Sequence, residues 1–312
     1  MTHSNLVSAK YRVLKGTAFS AAAAVLLGFA SQADAVTVWG LTNTNGLVSW
    51  DSATPQDITF SIDNVGGLVA NDDLIGIDFR PANGQLYAVG TGGGAAGSAR
   101  VYTLNLSNGF ATQVSTLSVS LNGSRFGFDF NPVPDRLRIT SNSDQNLRAN
   151  VDTGLTVIDS PLAYQPGDLF FGQNPNVVGS AYTNSFTGAT TTTLYGIDTV
   201  RNSLVEQTNP NAGTLRTVGL LGVDASQLVG FDIYFDSTTQ TNIGYAALQN
   251  IAEGVSRFYT IDLATGQATA IGLEQGDLID GIAVIPEPST FALLGFAAAG
   301  LFVAKRVRRQ KA

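Results

Sequence analysis

Three aspartates stand two residues after a glycine in a stretch that keeps returning: Asp78 in residues 74–79, Asp129 in residues 125–130 and Asp232 in residues 228–233. Carboxylates at one repeated position can surround a hard cation, and Ca2+, which takes carboxylate and carbonyl oxygens, is the ion they could hold, alone or bridged to a sugar. They can also accept backbone N–H groups of a neighbouring repeat, which would satisfy buried polar groups. We favour the second use, because a residue shared by repeats tends to serve the repeat itself. Two further copies carry Ala181 and Ala283 at this position, so a complete carboxylate ring is excluded.

A second group is basic. Arg125, Arg136, Arg138 and Arg148 lie among Asn131, Asn142, Asp144, Gln145 and Asn146. The guanidinium fork reads carboxylates and planar polar groups. Arg125, Arg136, Arg138, Arg148, Asp129 and Asn131 are therefore the candidate residues for a pocket that takes an acidic or polar glycan. The competing use is internal pairing, with Asp129, Asp135, Asp144 and Asp152 balancing the four charges. Trp39 and Trp50 could stack on sugar rings but fall in strand-like runs, where core packing is expected. Glu206, Glu253 and Glu274 permit a two-carboxylate glycosidase, yet no spacing singles out an acid–nucleophile pair.

Composition removes many other chemistries. Residues 36–288 contain no Cys, His or Lys. A Ser-His-Asp or Cys-His apparatus cannot be built there, nor can a thiolate or imidazole metal site, a Schiff-base lysine or a Walker-type lysine. Nine arginines face 23 acidic residues over the same span, a net charge of −14. Such a surface argues against nucleic acid or anionic lipid as partner of the folded domain. No disulfide is available, so stability must come from buried apolar surface.

These residues are positioned by a repeat. The glycines at 76, 127, 179, 230 and 281 are spaced by 51, 52, 51 and 51 residues. A fixed period of this size marks one supersecondary unit per repeat. Each period holds short apolar, β-branched runs parted by Gly, Asn, Asp and Pro, enough for four strands. The third-to-fourth turns read as residues 107–109, 152–154, 210–213 and 264–266, with 52–55 in the same slot near the N-terminus. No amphipathic helix beyond two turns appears between the ends. The expected fold is all-β: a five-bladed β-propeller of four-stranded antiparallel blades. Four units are whole. The fifth has only its first strand, near residues 278–285, and the runs at 36–42, 46–51 and 57–63 supply the missing three. The C-terminal strand should therefore pair with the three N-terminal strands and close the ring.

The ends carry addresses. Residues 1–35 read as a signal peptide, with Lys10, Arg12 and Lys15, an apolar run over 16–30, and an A-x-A site that places cleavage after Ala35. The propeller is expected over 36–285. Residues 286–312 hold Pro286, Glu287 and Pro288, an apolar run over 289–304 expected as a short, transient inner-membrane helix, and a basic tail that the positive-inside rule keeps in the cytoplasm.

These last features, in this order, resemble the PEP-CTERM sorting signal. The resemblance implies a Gram-negative bacterium that makes exopolysaccharide, an exosortase-type processing enzyme as partner with cutting near Pro286-Glu287-Pro288, and a domain released from or attached to the cell surface. Residues 127–138 with 146–148 resemble a secreted domain-of-unknown-function family, a likeness spanning most of 36–285 that brings no activity. The resulting expectation is a non-catalytic extracellular-matrix protein that binds exopolysaccharide or another surface ligand, without a cofactor unless Ca2+ is one. The alternative is a carboxylate-dependent glycan hydrolase or lyase on the same scaffold.

Overall fold

The structure, a computed structural model, describes residues 35–92, 99–273 and 278–286. The expected signal peptide before Ala35, the apolar run over 289–304, Glu274, Glu287 and Pro288 lie outside the described residues.

Strands β1 (Thr37–Thr42), β2 (Leu47–Asp51) and β3 (Thr54–Ile62) come first. Blade 1 follows with β4 (Asp72–Arg80), β5 (Gln85–Gly92), β6 (Arg100–Leu104) and β7 (Ala111–Thr116). Blade 2 has β8 (Phe126–Asn131), β9 (Arg136–Ser141), β10 (Asn146–Ala149) and β11 (Thr156–Ile158). Blade 3 has β12 (Ala163–Tyr164), β13 (Val177–Tyr182), β14 (Leu194–Asp198), β15 (Ser203–Asn209) and β16 (Thr214–Leu220). Blade 4 has β17 (Ala225–Asp236), β18 (Thr241–Asn250), β19 (Ser256–Ile261) and β20 (Ala268–Leu273), and β21 (Ile279–Val284) ends the series.

The last strand closes the ring. β21 pairs antiparallel with β1, Val38 opposite Val284 and Gly40 opposite Ile282, giving a sheet ordered β21-β1-β2-β3. Five sheets result, and the innermost strands β4, β8, β13, β17 and β21 contact one another in sequence back to β4. Edge strands that would be a liability in an open sheet are thus turned to the axis or to the rim.

Two details depart from the expected pattern. Blade 3 has five strands rather than four, because the connection from blade 2 lays β12 parallel along the outer edge of β16. A two-residue parallel pairing leaves no periodicity to read. β3 begins at Thr54, earlier than the run at 57–63, so Pro55 lies inside a strand; it is tolerated there because β3 is an outermost strand. The turn before it shrinks because Asp51 Oδ1 accepts the Ala53 N–H at 2.8 Å.

Burial occurs mainly between blades. Trp39 and Leu41 of the closing blade pack with Ile77 and Phe79 of blade 1, and Tyr87 and Val89 of blade 1 with Phe130 and Ile139 of blade 2. Blade 3 meets blade 4 through Val178 and Ile197 against Val229 and Phe231. Trp50 is fully buried edge-on to Phe258 of blade 4, their ring centroids 5.4 Å apart. Both tryptophans are therefore core residues. The junction of blades 2 and 3 is built differently, from polar side chains.

The five repeat glycines let the innermost strands approach. A Cβ on Gly76 would lie 1.8 Å from Phe128 Cδ2, and one on Gly230 only 2.7 Å from the Ile282 nitrogen. On Gly281 the nearest atom would be 3.6 Å away. Gly230→Ala must move backbone and is expected to lose about 2–3 kcal/mol, whereas Gly281→Ala stays within about 1 kcal/mol of the parent. Denaturant unfolding of the two purified variants measures the contrast, and equal losses would contradict this packing.

Candidate functional site

All five repeat glycines line the axis, where the lumen narrows to about 10 Å³, the room of one water. Just beyond them, at the third residue after each glycine, five backbone N–H groups meet three carboxylates. Asp78 takes those of Phe79 and of Phe130, the latter at 2.7 Å. Asp129 takes that of Tyr182 at 2.9 Å. Asp232 takes those of Ile233 and Val284, each at 2.6 Å. Among the described residues no arginine pairs with any of the three, and no group of three or more acidic side chains is arranged to hold a metal ion.

Such buried carboxyls resist ionisation. Burial, then the charge of Asp232, pushes Asp78 well above the usual carboxylate range. Burial, then the charges of Asp78 and Asp232, does the same to Asp129. Burial pushes Asp232 up to about 6 against its backbone donors. Asp78 and Asp129 lie within hydrogen-bonding reach of each other, so one proton held between them satisfies Asp129 Oδ1, which no N–H reaches.

The four arginines of blade 2 are dispersed. Arg138 is 1% exposed and gives hydrogen bonds to Asp159 (2.6 Å), Asn146 (2.7 Å), Asn211 (3.0 Å) and the Tyr182 hydroxyl (3.3 Å). Arg148 grips the same Asp159 with two bonds, at 2.7 and 2.8 Å. Together with the Thr140–Ser180 hydroxyl pair at 2.8 Å, this network joins blade 2 to blade 3. Arg136 turns to the carbonyls of Pro134 and Asp135. Asn131 accepts the Val133 N–H within its own turn. The acids that balance these charges are not the four expected from proximity in sequence. Asp159 serves Arg138 and Arg148, Asp280 serves Arg125, and Asp135 and Asp152 both hold Arg80 of blade 1.

Of the four arginines, Arg125 is the one that lines a cavity of about 290 Å³. This space lies where the innermost strands begin, on the side of the glycines away from the carboxylates. Arg125 donates to Asp280 at 2.9 Å across it. Asn43, Asn45, Asp73 and Ser124 add polar groups, and Phe126 an aromatic wall. Asn45 is held in place, its Oδ1 accepting the Leu74 N–H at 2.7 Å and its amide reaching Asp73 at 3.3 Å. Burial raises Asp280 above the ordinary carboxylate range, with Arg125 opposing the shift.

Asp280 was the residue that local reading passed over, although a signal for it exists. The position before each repeat glycine holds Ile75, Phe126, Val178 and Val229 in the other four copies, and Asp280 in the fifth. One position earlier, Leu74, Val177, Leu228 and Ile279 leave Arg125 as the odd member. Two opposite charges in otherwise apolar slots of a repeat are a pair waiting to be matched.

A family model described as a domain of unknown function, DUF4394, matches residues 46–283, and the PEP-CTERM protein-sorting motif matches residues 284–309. No curated protein is significantly similar to the chain. Among solved structures, similarity extends to a nidogen/laminin complex (12% identity, TM-score 0.45, covering 81% of this chain and 99% of that one). It extends also to a putative 6-phosphogluconolactonase from Bacteroides uniformis (14%, 0.38, 78% and 72%) and to a GH74 xyloglucanase from Xanthomonas campestris (15%, 0.41, 76% and 36%).

The folded chain keeps protons that the unfolded chain has shed above pH ~4, so stability falls as pH rises through about 6, by on the order of 3 kcal/mol for Asp232 alone. Asp129→Asn keeps the acceptor for Tyr182, offers Asp78 a donor and removes one charge; melting between pH 5 and 9 should show a shallower fall and a more stable protein above pH 7. An unchanged slope would contradict the shared proton. Arg138→Ala strips a buried network and should cost about 3 kcal/mol, while Arg136→Ala should cost under ~0.5 kcal/mol, both read by urea denaturation.

Proposed function

The chain belongs to the DUF4394 family of domains of unknown function, and from that premise we propose that it is a non-catalytic cell-surface protein that binds exopolysaccharide through the cavity at the axis. The sorting motif implies export, processing by an exosortase-type enzyme and a surface location. The finer steps belong to the proposal: removal of residues 1–35, a transient inner-membrane span over 289–304, cutting near Pro286-Glu287-Pro288, and retention in the extracellular matrix.

The observation that carries the binding role is the cavity of about 290 Å³, lined by the polar side chains of Asn43, Asn45, Asp73, Ser124, Arg125 and Asp280. Small-molecule sites are concave spaces of roughly this size and upward, with a few placed polar groups. Its walls come from the closing blade, blade 1 and blade 2, so the site exists only once the ring is shut.

One observation favours a second reading. Asp73 and Asp280 line the same cavity, and Asp280 is shifted upward by burial, as the acid of a carboxylate-dependent hydrolase or lyase would be. The Arg125 ion pair makes this the weaker reading, since it holds Asp280 toward its ionised form.

Both are tested on the full chain. It should co-sediment with the producing cell's exopolysaccharide, and Ser124→Trp, which fills the cavity from an exposed position, should lower the bound fraction at least tenfold with melting unchanged. Equal binding by the variant would place recognition elsewhere and overturn the proposal. New reducing ends or unsaturated products would establish the second reading in its place. Replacing Pro286, Glu287 and Pro288 by alanine should leave the protein in the inner-membrane fraction.

A further inference from the structure

We infer that the axial cavity takes a single neutral or amine-bearing sugar unit and rejects acidic ones; this rests on the glycan-binding reading above and narrows its ligand. The sequence alone, with four arginines close together, pointed to an acidic or polar glycan. The geometry moves the choice away from the acidic one. Of those arginines only Arg125 lines the cavity, and its guanidinium is already engaged by Asp280 at 2.9 Å.

Asp280 has a side chain 16% exposed, so a ligand carboxylate that took Arg125 for itself would leave Asp280 buried and uncompensated. Asp73 adds a second negative charge, with Asn45 as its partner among the described residues rather than a cation. Among the described residues the cavity therefore holds one positive and two negative charges. An incoming anion meets net repulsion within a partly enclosed space.

A hydroxyl-rich ring fits the same groups without breaking any of them. Its O–H groups can donate to the carboxylates of Asp73 and Asp280, and its oxygens can accept from the Asn43 amide, the Ser124 hydroxyl and the guanidinium N–H groups of Arg125 that Asp280 leaves open. Phe126 offers an apolar wall to the C–H face of the ring. An ammonium substituent would gain further from Asp73. The volume sits at the lower end of the range of roughly 300–1,000 Å³ for small-molecule sites, which suits one ring at a chain end better than a threaded polymer.

The test is calorimetric titration of the full chain with methyl glucoside, glucosamine, glucuronate and inorganic sulfate, repeated on Asp73→Asn. Glucoside and glucosamine should bind, glucosamine more tightly, with glucuronate at least tenfold weaker than glucoside and sulfate silent. Asp73→Asn, at an exposed position, should erase the preference for glucosamine, so that glucosamine and glucoside bind with equal strength. Glucuronate binding as tightly as glucoside, or a glucosamine preference that survives Asp73→Asn, overturns the inference while leaving polysaccharide co-sedimentation intact. If none of the monosaccharides binds, the single-unit site is wrong, and loss of co-sedimentation alone decides the broader reading.

Discussion

Five backbone N–H groups on the inner edges of the innermost strands point at the axis, where no further strand can pair with them. An unpaired buried N–H costs free energy comparable to a lost hydrogen bond, so a ring this narrow cannot close without acceptors at its centre. Three carboxylates meet the need. Their division of labour follows the order of the blades. Each aspartate serves the N–H of the next blade: Asp78 that of Phe130, Asp129 that of Tyr182, Asp232 that of Val284. Where the preceding blade has alanine, the aspartate also serves its own: Asp78, which follows Ala283 around the ring, takes Phe79, and Asp232, which follows Ala181, takes Ile233. Asp129 follows an aspartate, has one donor fewer to satisfy, and is left with an oxygen to share a proton with Asp78.

The same geometry explains why the axis is closed rather than open. Glycine at five positions permits the strands to approach, and the approach brings the carboxylates together in a space with no cation among the described residues. Protonation is the response that physics leaves, since burial and mutual repulsion both favour the neutral acid. Closure also relocates the burden of stability. Apolar clusters fasten most neighbouring blades, but blades 2 and 3 are joined through Arg138, Asp159 and Arg148. Arg138 and Arg148 are directly opposed across β9 and β10, a pairing that repels unless an anion stands between them. Asp159, just past β11, is that anion.

Much of this architecture was legible in the sequence because it repeats. The glycine spacing gave the blade count, and the incomplete fifth copy foretold the pairing of β21 with β1. The aspartates two residues past the glycine were visible as a set, and so was the alternative that they accept N–H groups. The acids that pair with the arginines were not legible, for a physical reason. Closeness along the chain says little in a sheet, where successive side chains face opposite ways and a turn separates them further. Arg125 stands just before one hairpin and Arg138 in its second strand, yet one opens on a cavity and the other is sealed between blades. Their partners stand 155 and 21 residues away. The parallel strand β12 was invisible for a related reason, since two residues carry no pattern.

What repetition hides is found where repetition fails. Residues common to the blades hold the ring together; the glycines, the N–H groups and most of the aspartates are of this kind. The cavity is made by exceptions. Arg125 and Asp280 replace aliphatic or aromatic side chains that the other copies keep at the same two positions, and they replace them as a matched pair from blades on either side of blade 1. Without Arg125, the mostly buried carboxylate of Asp280 would be left without a partner. The two substitutions are therefore energetically coupled, and neither serves ring closure, since blades 3 and 4 close with valine and leucine in the same places. Fold stability alone gives no reason to keep an ion pair where hydrophobic residues suffice, and that surplus is the physical ground for the recognition proposed at this end of the axis.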